Sequence, residues 1–402
     1  MEGHVRKRGG KWYYSFESAP VGGKRKRIER VGGRTKKEAE QKLAEAINKY
    51  NHTGLHFDPV SVSVADYMDY WLEKYVKRNM KYKTCEAYEN DVKKHIKPGL
   101  GNYRLAALQP DTIQDWVDGI KDEGYAKNTI ANILECLSGA LEYAVLPLKY
   151  IRENPCHYVK IGKVEESLER QEYREYICSK EDFGKIIERF GPDTNFYIPL
   201  MLGYHLGTRI GETYGFDLMR DVDFAKSEIS VNRQIRKENK KWYYRPPKYG
   251  SSRTIKMGKT ISEILKAEIQ KKKENMLRYG RYYMKSYCTA DGKIIQAPAD
   301  RTMGPEYKEI MPVSTRESGK ILTPISFQYC AKIVHRELGN NLFHSHCLRH
   351  THGTILAENG VSPKTVMERL GHKNIQTTLQ TYIFNTEKMQ DDSVEIFEQA
   401  IK

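Results

Sequence analysis

The sequence His346-Cys347-Leu348-Arg349-His350, with Leu370-Gly371-His372 and Tyr382 downstream of it, decides the fold of this chain. These short motifs place imidazole and guanidinium groups close in sequence to one phenol. Arginine makes forked and permanently charged hydrogen bonds to phosphate oxygens, which lysine cannot reproduce. A phenol beside such groups is suited to act as a nucleophile toward a phosphodiester. The segment therefore predicts that DNA is cut and rejoined through a tyrosine–phosphate link.

The helices that carry these residues can be outlined from the glycines that end them. His346 and Arg349 lie three positions apart, so they share one side of a predicted helix. Gly360 is expected to end this helix and Gly371 to end the next one, because glycine is favoured in the left-handed position that follows a helix. A last short helix is expected to carry Tyr382.

Two upstream motifs supply further candidates. Thr208-Arg209-Ile210-Gly211-Glu212 places an arginine at the turn that enters a helix, where free N–H groups and the helix dipole favour phosphate. Glu212, one turn later, is a candidate to hold that guanidinium in place. Lys248 is expected at the tip between two strands, from which its ammonium group can swing into a cleft. Most lysines in such turns are only solvated, so the case for Lys248 as a site residue depends on the other motifs of the chain.

The overall charge indicates a polyanionic partner. The 402-residue chain has a formal net charge of +15 and a pI of about 9.2. Nucleic acid is favoured over a membrane, because the mean hydropathy is −0.70, no apolar run approaches transmembrane length and the N-terminus has no signal-peptide core. The seven cysteines are scattered and form no Cys-x-x-Cys pair, which argues against disulfides and structural zinc and favours a reducing cytoplasm.

Changes of pattern along the chain predict a multidomain protein that is mainly α with small antiparallel β-sheets. The expected divisions are a three-stranded sheet plus helix at 1–55, a helical domain at 60–162, a linker at 163–176, a mixed α/β domain at 177–384 and a tail helix at 385–402. In the mixed domain, 228–236, 240–245 and 253–257 are predicted to form one antiparallel meander. The stretch 280–320 is left unassigned, and an excursion over DNA and a surface insertion are equally compatible with it.

The N-terminal 50 residues carry 14 Lys and Arg against 6 Asp and Glu. Strands are predicted at 11–16 and 24–31, and Thr35 and Glu38 form a capping box that opens a helix. A small basic sheet can enter a major groove while its rim holds phosphates, although a solvated basic face over a core of aromatic residues is the alternative. The candidate DNA-binding residues are Arg6, Arg8, Trp12, Tyr14, Lys24, Arg25, Lys26 and Arg27, with Lys81 and Lys83 from the helical domain.

The ordered set of motifs resembles the tyrosine recombinases, or phage-type integrases. The resemblance is carried by Thr208-Arg209-Ile210-x-Glu212, His346-x-Leu348-Arg349-His350-Thr351, Leu370-Gly371-His372 and Thr377-Thr378-x-x-Thr381-Tyr382, and the N-terminal segment is similar to the arm-binding domain of conjugative-transposon integrases. Cys347 and Phe384 depart from the residues common at their positions, but no catalytic group is missing. The resemblance implies an arm-binding domain, a helical core-binding (SAM-like) domain and a mixed α/β catalytic domain.

The resemblance also implies a mechanism and partners. Tyr382 is then the nucleophile that forms a 3′-phosphotyrosyl link, Arg209, Arg349 and His372 stabilise the phosphorane, Lys248 is the general acid and His346 the proton acceptor. No metal, ATP or other cofactor is needed. The expected partners are double-stranded DNA at core and arm sites, three further copies in a tetramer joined by exchange of the C-terminal tail, and excisionase and host DNA-bending proteins. A bacterial, cytoplasmic, DNA-associated enzyme that inserts and excises a mobile element through a Holliday junction is expected.

Three other classes of protein remain as alternatives. A metallohydrolase is suggested by the several histidines, but Arg349 in their midst would repel a metal dication. A type IB topoisomerase shares the phosphotyrosine chemistry, although the arm-type domain favours recombination at specific sites. A DNA-binding regulator without recombination is disfavoured by the complete catalytic set.

Overall fold

The computed structural model describes residues 3–17, 27–53, 62–165 and 168–374, together with 391, 394–395 and 397–399. The chain forms two compact units, Met1–Glu165 and Glu166–Lys402. The predicted fold class, mainly helical with small antiparallel sheets, is confirmed. In the parts of the chain described here, no helix combines the length and apolar composition that a membrane crossing requires.

The first unit begins with a three-stranded antiparallel sheet of β1 (Gly3–Arg8), β2 (Lys11–Glu17) and β3 (Arg27–Gly33) in that order. Helix α1 (Lys36–Thr53) packs on one face of it, where Tyr14 and Phe16 are buried against Ala46. The predicted capping box is present, because Thr35 Oγ1 accepts from the backbone N–H of Glu38 and Glu38 Oε2 accepts from that of Arg34. The two strand ranges predicted from the sequence pattern correspond to β2 and β3, and the pattern did not indicate β1.

The rest of the first unit is helical. A core of apolar residues that includes Tyr67, Trp71 and Leu137 is fully buried between the helices. Two of the helices continue through a π-helical turn, at Leu72–Val76 and Val92–Ile96. The helices are α2 (Val64–Trp71), α3 (Lys77–Asn79), α4 (Tyr82–Asp91), α5 (Lys97–Leu100), α6 (Pro110–Asp122) and α7 (Lys127–Val145), with 3-10 turns at Leu105–Ala107 and Pro155–Tyr158.

The second unit surrounds one apolar helix, α10 (Tyr197–Leu206), which is buried on nearly every side. This burial follows from its composition, because α10 contains no charged residue and is followed by Gly207 in the left-handed conformation. The other helices are α8 (Leu168–Glu175), α9 (Lys180–Arg189), α11 (Ile210–Thr213), α12 (Lys259–Tyr279), α13 (Pro324–Leu338), α14 (Ser345–Glu358) and α15 (Pro363–Leu370). Helix α8 lies within the segment 163–176 that was expected to be a linker.

The strands of this unit correct the predicted meander. β4 (Val222–Asp223), β5 (Glu228–Val231) and β8 (Arg253–Lys256) form one sheet with β5 in the middle, whereas β6 (Gln234–Glu238) and β7 (Lys241–Arg245) form a separate hairpin. The prediction of one three-stranded meander is therefore wrong. β5 pairs with β8, 22 residues beyond its end, and local periodicity cannot reveal a pairing over that distance.

The unassigned stretch 280–320 contains a third sheet. β9 (Met284–Cys288) is its central strand and pairs antiparallel with β10 (Ile294–Pro298) and β11 (Lys308–Ile310). A 3-10 turn at Gly280–Tyr282 leads into it from α12. The sequence prediction missed these strands because they are short and mix polar with apolar residues.

Candidate active site

Arg349 is almost completely buried within the site. It lies on α14, with only 1% of its surface exposed, where that helix packs against α10. Its Nη1 donates to the carbonyl oxygen of Gly207 (2.8 Å) and its Nη2 to that of Leu370 (2.6 Å). A buried guanidinium is tolerated only when its N–H groups have acceptors, and backbone carbonyls supply them here.

The C-terminus of α15 organises the site. Gly371 follows this helix with a φ of +70°, and a Cβ at Gly371 would lie 2.8 Å from Nη1 of Arg253, so only glycine fits. The last carbonyls of a helix lack intrahelical donors and carry the negative end of its dipole, which favours cations. Three consecutive carbonyls each accept from a different arginine: Arg253 donates to Arg369 (2.7 Å), Arg349 to Leu370 (2.6 Å) and Arg209 to Gly371 (3.2 Å).

One buried carboxylate joins two of these arginines. Arg209 is the N-cap residue of α11, and its Nη1 donates to Oε1 of Glu212 (2.9 Å). Nη2 of Arg253 donates to Oε2 of the same carboxylate (3.0 Å). Burial acts to raise the pKa of Glu212, but the charges of Arg253, Arg209 and Arg349 outweigh it and keep that pKa below its ordinary value. Glu212 is therefore ionised at neutral pH and fixes both guanidinium groups.

The two candidate histidines are kept neutral. Burial and then the charge of Arg349 lower the pKa of His372 to about 3, and Arg349 Nη2 lies 2.6 Å from His372 Nε2, which accepts from it. His346 reaches the surface at the start of α14, one turn before Arg349. The protein atoms around its ring, followed by the Arg349 charge, lower the pKa of His346 as well. Both imidazoles are therefore neutral at neutral pH, so each ring has one nitrogen that can accept a hydrogen bond.

Lys248 lies on a turn outside the site helices α11, α14 and α15. Lys248 begins an exposed 3-10 turn, Lys248–Gly250, that connects β7 to β8. It was predicted at a hairpin tip, but β7 and β8 belong to different sheets, so the turn links two sheets. Tyr382 lies outside the described residues, as do Thr377 and Thr378.

Three supporting residues were not predicted as part of the site. Arg253 was identified only as a strand residue, although Ser251-Ser252-Arg253 directly follows the candidate lysine turn. Arg369 was not identified, and His352 was assigned only to the inner face of α14. Arg369 Nε donates to Nε2 of His352 (2.9 Å), and burial followed by the Arg369 charge lowers the pKa of His352 to about 4. Spacing in the sequence does not indicate which of many arginines fold inward.

The predicted DNA-binding residues of the first unit differ in what they can offer. Tyr14 is buried against α1, so its ring belongs to the core, which corrects its assignment as a DNA contact. Trp12 is half-buried, and Arg6 forms an ion pair with Glu29 (2.6 Å). Arg27 donates to Ser15 Oγ (2.8 Å) while remaining exposed. Arg8, Lys81 and Lys83 are exposed, Lys83 beside Glu86, and Lys24, Arg25 and Lys26 lie outside the described residues.

The histidines do not form a metal-ligand cluster with carboxylates or cysteines. Across the described ranges, no group of three or more His, Cys, Asp and Glu side chains converges as metal ligands would. His346 instead packs edge-on against His350, with ring centroids 5.6 Å apart. The seven cysteines are all free thiols.

Comparison with known proteins gives matches along most of the chain. The phage integrase family matches residues 185–389, its N-terminal SAM-like domain matches 63–121, and an arm DNA-binding domain matches 4–50. A protein named tyrosine recombinase XerC-like, from Caldanaerobacter subterraneus subsp. tengcongensis, is 29% identical over 377 residues, which cover 90% of this chain and 89% of that protein.

Solved structures match at the level of the fold. The Tn1549 transposon integrase in complex with a circular intermediate DNA superposes with a TM-score of 0.63 at 19% identity, covering 83% of this chain and 99% of that one. The lambda integrase tetramer bound to a Holliday junction gives a TM-score of 0.55 at 19% identity, covering 94% of each chain.

Proposed function

Since this chain belongs to the phage integrase family, the tyrosine recombinases that cut and rejoin DNA, we propose that Tyr382 is its nucleophile and that Arg209 and Arg349 bind the scissile phosphate. The observation that carries this proposal is the convergence of both arginines on the end of α15, one residue before His372. Arg209 and Arg349 are 140 positions apart in sequence, yet they donate to the carbonyls of two consecutive residues, Gly371 and Leu370. Tyr382 Oη attacks phosphorus, the bond to the 5′-oxygen breaks, and a 3′-phosphotyrosyl link remains.

The charges of the site suit the transition state better than the substrate. A phosphodiester carries one negative charge, and attack by a phenolate gives a phosphorane that carries two. The guanidinium groups are fixed beforehand by Glu212 and by backbone carbonyls, so they need little reorganisation when that charge develops. Such preorganised donors typically contribute about 10²–10³-fold in rate each.

His372 donates to the phosphate only after a rearrangement. In the DNA-free arrangement its Nε2 accepts from Arg349. When a phosphate oxygen takes over that guanidinium, Nε2 is released, and a ring protonated there can donate to the phosphorane. The same phosphate offsets the arginine charges that lower the pKa of His346, which makes His346 a stronger acceptor for the Tyr382 proton. Lys248 supplies the proton that the departing 5′-oxygen requires.

The wider assignment is that of a mobile-element integrase. The arm-type domain and helical domain bind arm and core sites on double-stranded DNA, and four copies act together by exchanging C-terminal tails. Val394 and Phe397 of the tail are exposed, which suits docking on a neighbouring copy. The Tn1549 and lambda relatives support the element-borne role. The proposed further partners are excisionase and host DNA-bending proteins, and the proposed location is a bacterial cytoplasm.

Trapping the covalent intermediate tests the proposed function. Full-length protein first selects its sites from a pool of random duplexes, and the selected duplex is then nicked beside the cleavage position so that the short product diffuses away. Tyr382→Phe should bind this DNA and form no adduct, whereas Tyr329→Phe, at an exposed tyrosine of α13, should behave as wild type. Adduct formation in EDTA separates this chemistry from a metallohydrolase. An adduct that persists in Tyr382→Phe refutes the nucleophile.

A further inference from the structure

We infer that Arg253 is a positioning residue, which holds the Lys248 turn in register with the phosphate-binding arginines. This inference rests on the proposed role of Lys248 as the general acid. Arg253 has no role in the proposed cleavage step, and its sequence context alone does not mark it as a site residue. Arg253 is the first residue of β8, five positions after Lys248.

The Lys248 turn has little to fix it on its own. Lys248, Tyr249 and Gly250 are all exposed, and Tyr249 and Gly250 both have positive φ angles, of +61° and +64°. Two local backbone hydrogen bonds are formed within the turn, from Gly250 N to Pro247 O and from Ser251 N to Lys248 O (both 3.3 Å), and neither connects it to another element. An ammonium group on such a turn needs an external anchor if it is to meet a leaving oxygen reproducibly.

Arg253 provides that anchor through three separate acceptors. Its side chain is 8% exposed, and its Nη1 donates to the carbonyl of Ser251 in the turn (3.3 Å). Nη2 donates to Oε2 of Glu212 (3.0 Å), whose other oxygen holds Arg209, and Nε donates to the carbonyl of Arg369 (2.7 Å). One rigid fork thus ties the turn to α11 and to the end of α15. A lysine has a single nitrogen and cannot span these three directions.

Loss of this anchor should slow the chemistry without removing DNA binding. Misplacing a reacting group by about 1 Å can cost on the order of 100-fold in rate. Arg253→Lys keeps a cation beside Glu212, which limits the effect on stability, but it gives up the fork. We therefore expect adduct formation on the nicked duplex to fall about 100-fold in Arg253→Lys, with DNA affinity near that of wild type.

A sulfur atom in place of the bridging 5′-oxygen isolates the Lys248 connection. In the normal step the Tyr382 Oη–phosphorus bond forms, the phosphorus–5′-oxygen bond breaks, and Lys248 Nζ gives its proton to that oxygen. With sulfur the departing group is a thiolate, whose conjugate acid has a pKa of roughly 8.5, so no proton is required. Lys248→Met and Arg253→Lys should both recover to within about 10-fold of wild type on this substrate.

The matched control is Arg245→Lys. Arg245 lies on β7, before the same turn, and pairs with Glu238 (Nε to Oε1 3.0 Å) on the neighbouring strand, so this change should leave both substrates unaffected. If Arg253→Lys forms adduct at the wild-type rate, or is equally slow on oxygen and sulfur, the inference is overturned. If wild type forms no adduct, the proposed function fails. If sulfur does not restore adduct formation by Lys248→Met, Lys248 is not the general acid, and the inference about Arg253 is also overturned.

Discussion

Replacing Glu212 by glutamine tests how the arginines of the site are held. The carboxylate accepts three hydrogen bonds, from Arg209 N (3.1 Å), Arg209 Nη1 (2.9 Å) and Arg253 Nη2 (3.0 Å). A glutamine has one acceptor oxygen, and its amide N–H groups must face a guanidinium that is itself a donor. Breaking a fully buried ion pair typically costs 3–5 kcal/mol. Because the Arg209 side chain is 20% exposed, we expect the lower end, about 3 kcal/mol.

The measurement must report on the second unit alone. Hydrogen-exchange mass spectrometry of peptides from 197–213, at a series of urea concentrations, follows α10 and α11 within the full-length protein. Glu238→Gln is the control, because the Arg245 side chain that pairs with Glu238 is 32% exposed, and a pair that solvent reaches costs less to break than a buried one. A Glu212→Gln protein as stable as Glu238→Gln would refute the reasoning.

The pH dependence supplies a second check of the same prediction. The folded pKa of Glu212 lies below its ordinary value of 4.5, so the stability that ionisation contributes is complete above that pH and is lost as pH falls through the folded pKa. The difference between wild type and Glu212→Gln should therefore be constant from about pH 6 to 8 and shrink in acid. A difference that stays constant into strong acid contradicts an ionised Glu212.

Three further predictions follow from the same geometry. Arg349→Lys should bind DNA yet form adduct about 10²–10³-fold more slowly, measured on the nicked duplex, because one nitrogen cannot replace the fork. His352 has a folded pKa of about 4, so the stability gained from its neutral form is present above about pH 6.5 and is lost as pH falls toward 4; His352→Gln should flatten the Tm–pH curve in that range. Gly371→Ala should destabilise by more than about 1 kcal/mol in urea titrations and slow cleavage, because its Cβ strikes Arg253. An alanine variant as stable and as active as wild type would contradict this last expectation.

The ends of the helices in the active-site segment could be predicted from the sequence. Gly360 and Gly371, which were predicted to end the two helices, both have positive φ and follow α14 and α15. These features depend on neighbours within a few residues, and the local sequence contains that information. The ladder between β5 and β8 depends instead on which segments meet in three dimensions, and the predicted meander was wrong there.

The backbone carbonyls that accept from the arginines could not be predicted from the sequence, because they too depend on which segments meet in three dimensions. Arg209 and Arg349 were selected from their motifs, and Glu212 was predicted to hold Arg209, but their other acceptors include backbone carbonyls, which every residue offers. No side-chain pattern distinguishes the carbonyl of Leu370 from its neighbours. The sequence also could not decide whether the Tyr14 ring is buried. An aromatic residue on a strand with two faces suits a core and a DNA-binding surface equally.

The acceptors of the arginines also indicate how a phosphate can compete for them. Within the described residues, Arg209 and Arg253 share the Glu212 carboxylate, and these two and Arg349 all donate to carbonyl oxygens at the end of α15. Carbonyl oxygens are weaker partners for guanidinium than a charged phosphate. A backbone phosphate is therefore a stronger acceptor for these guanidinium groups, which Glu212 and the carbonyls already hold in place.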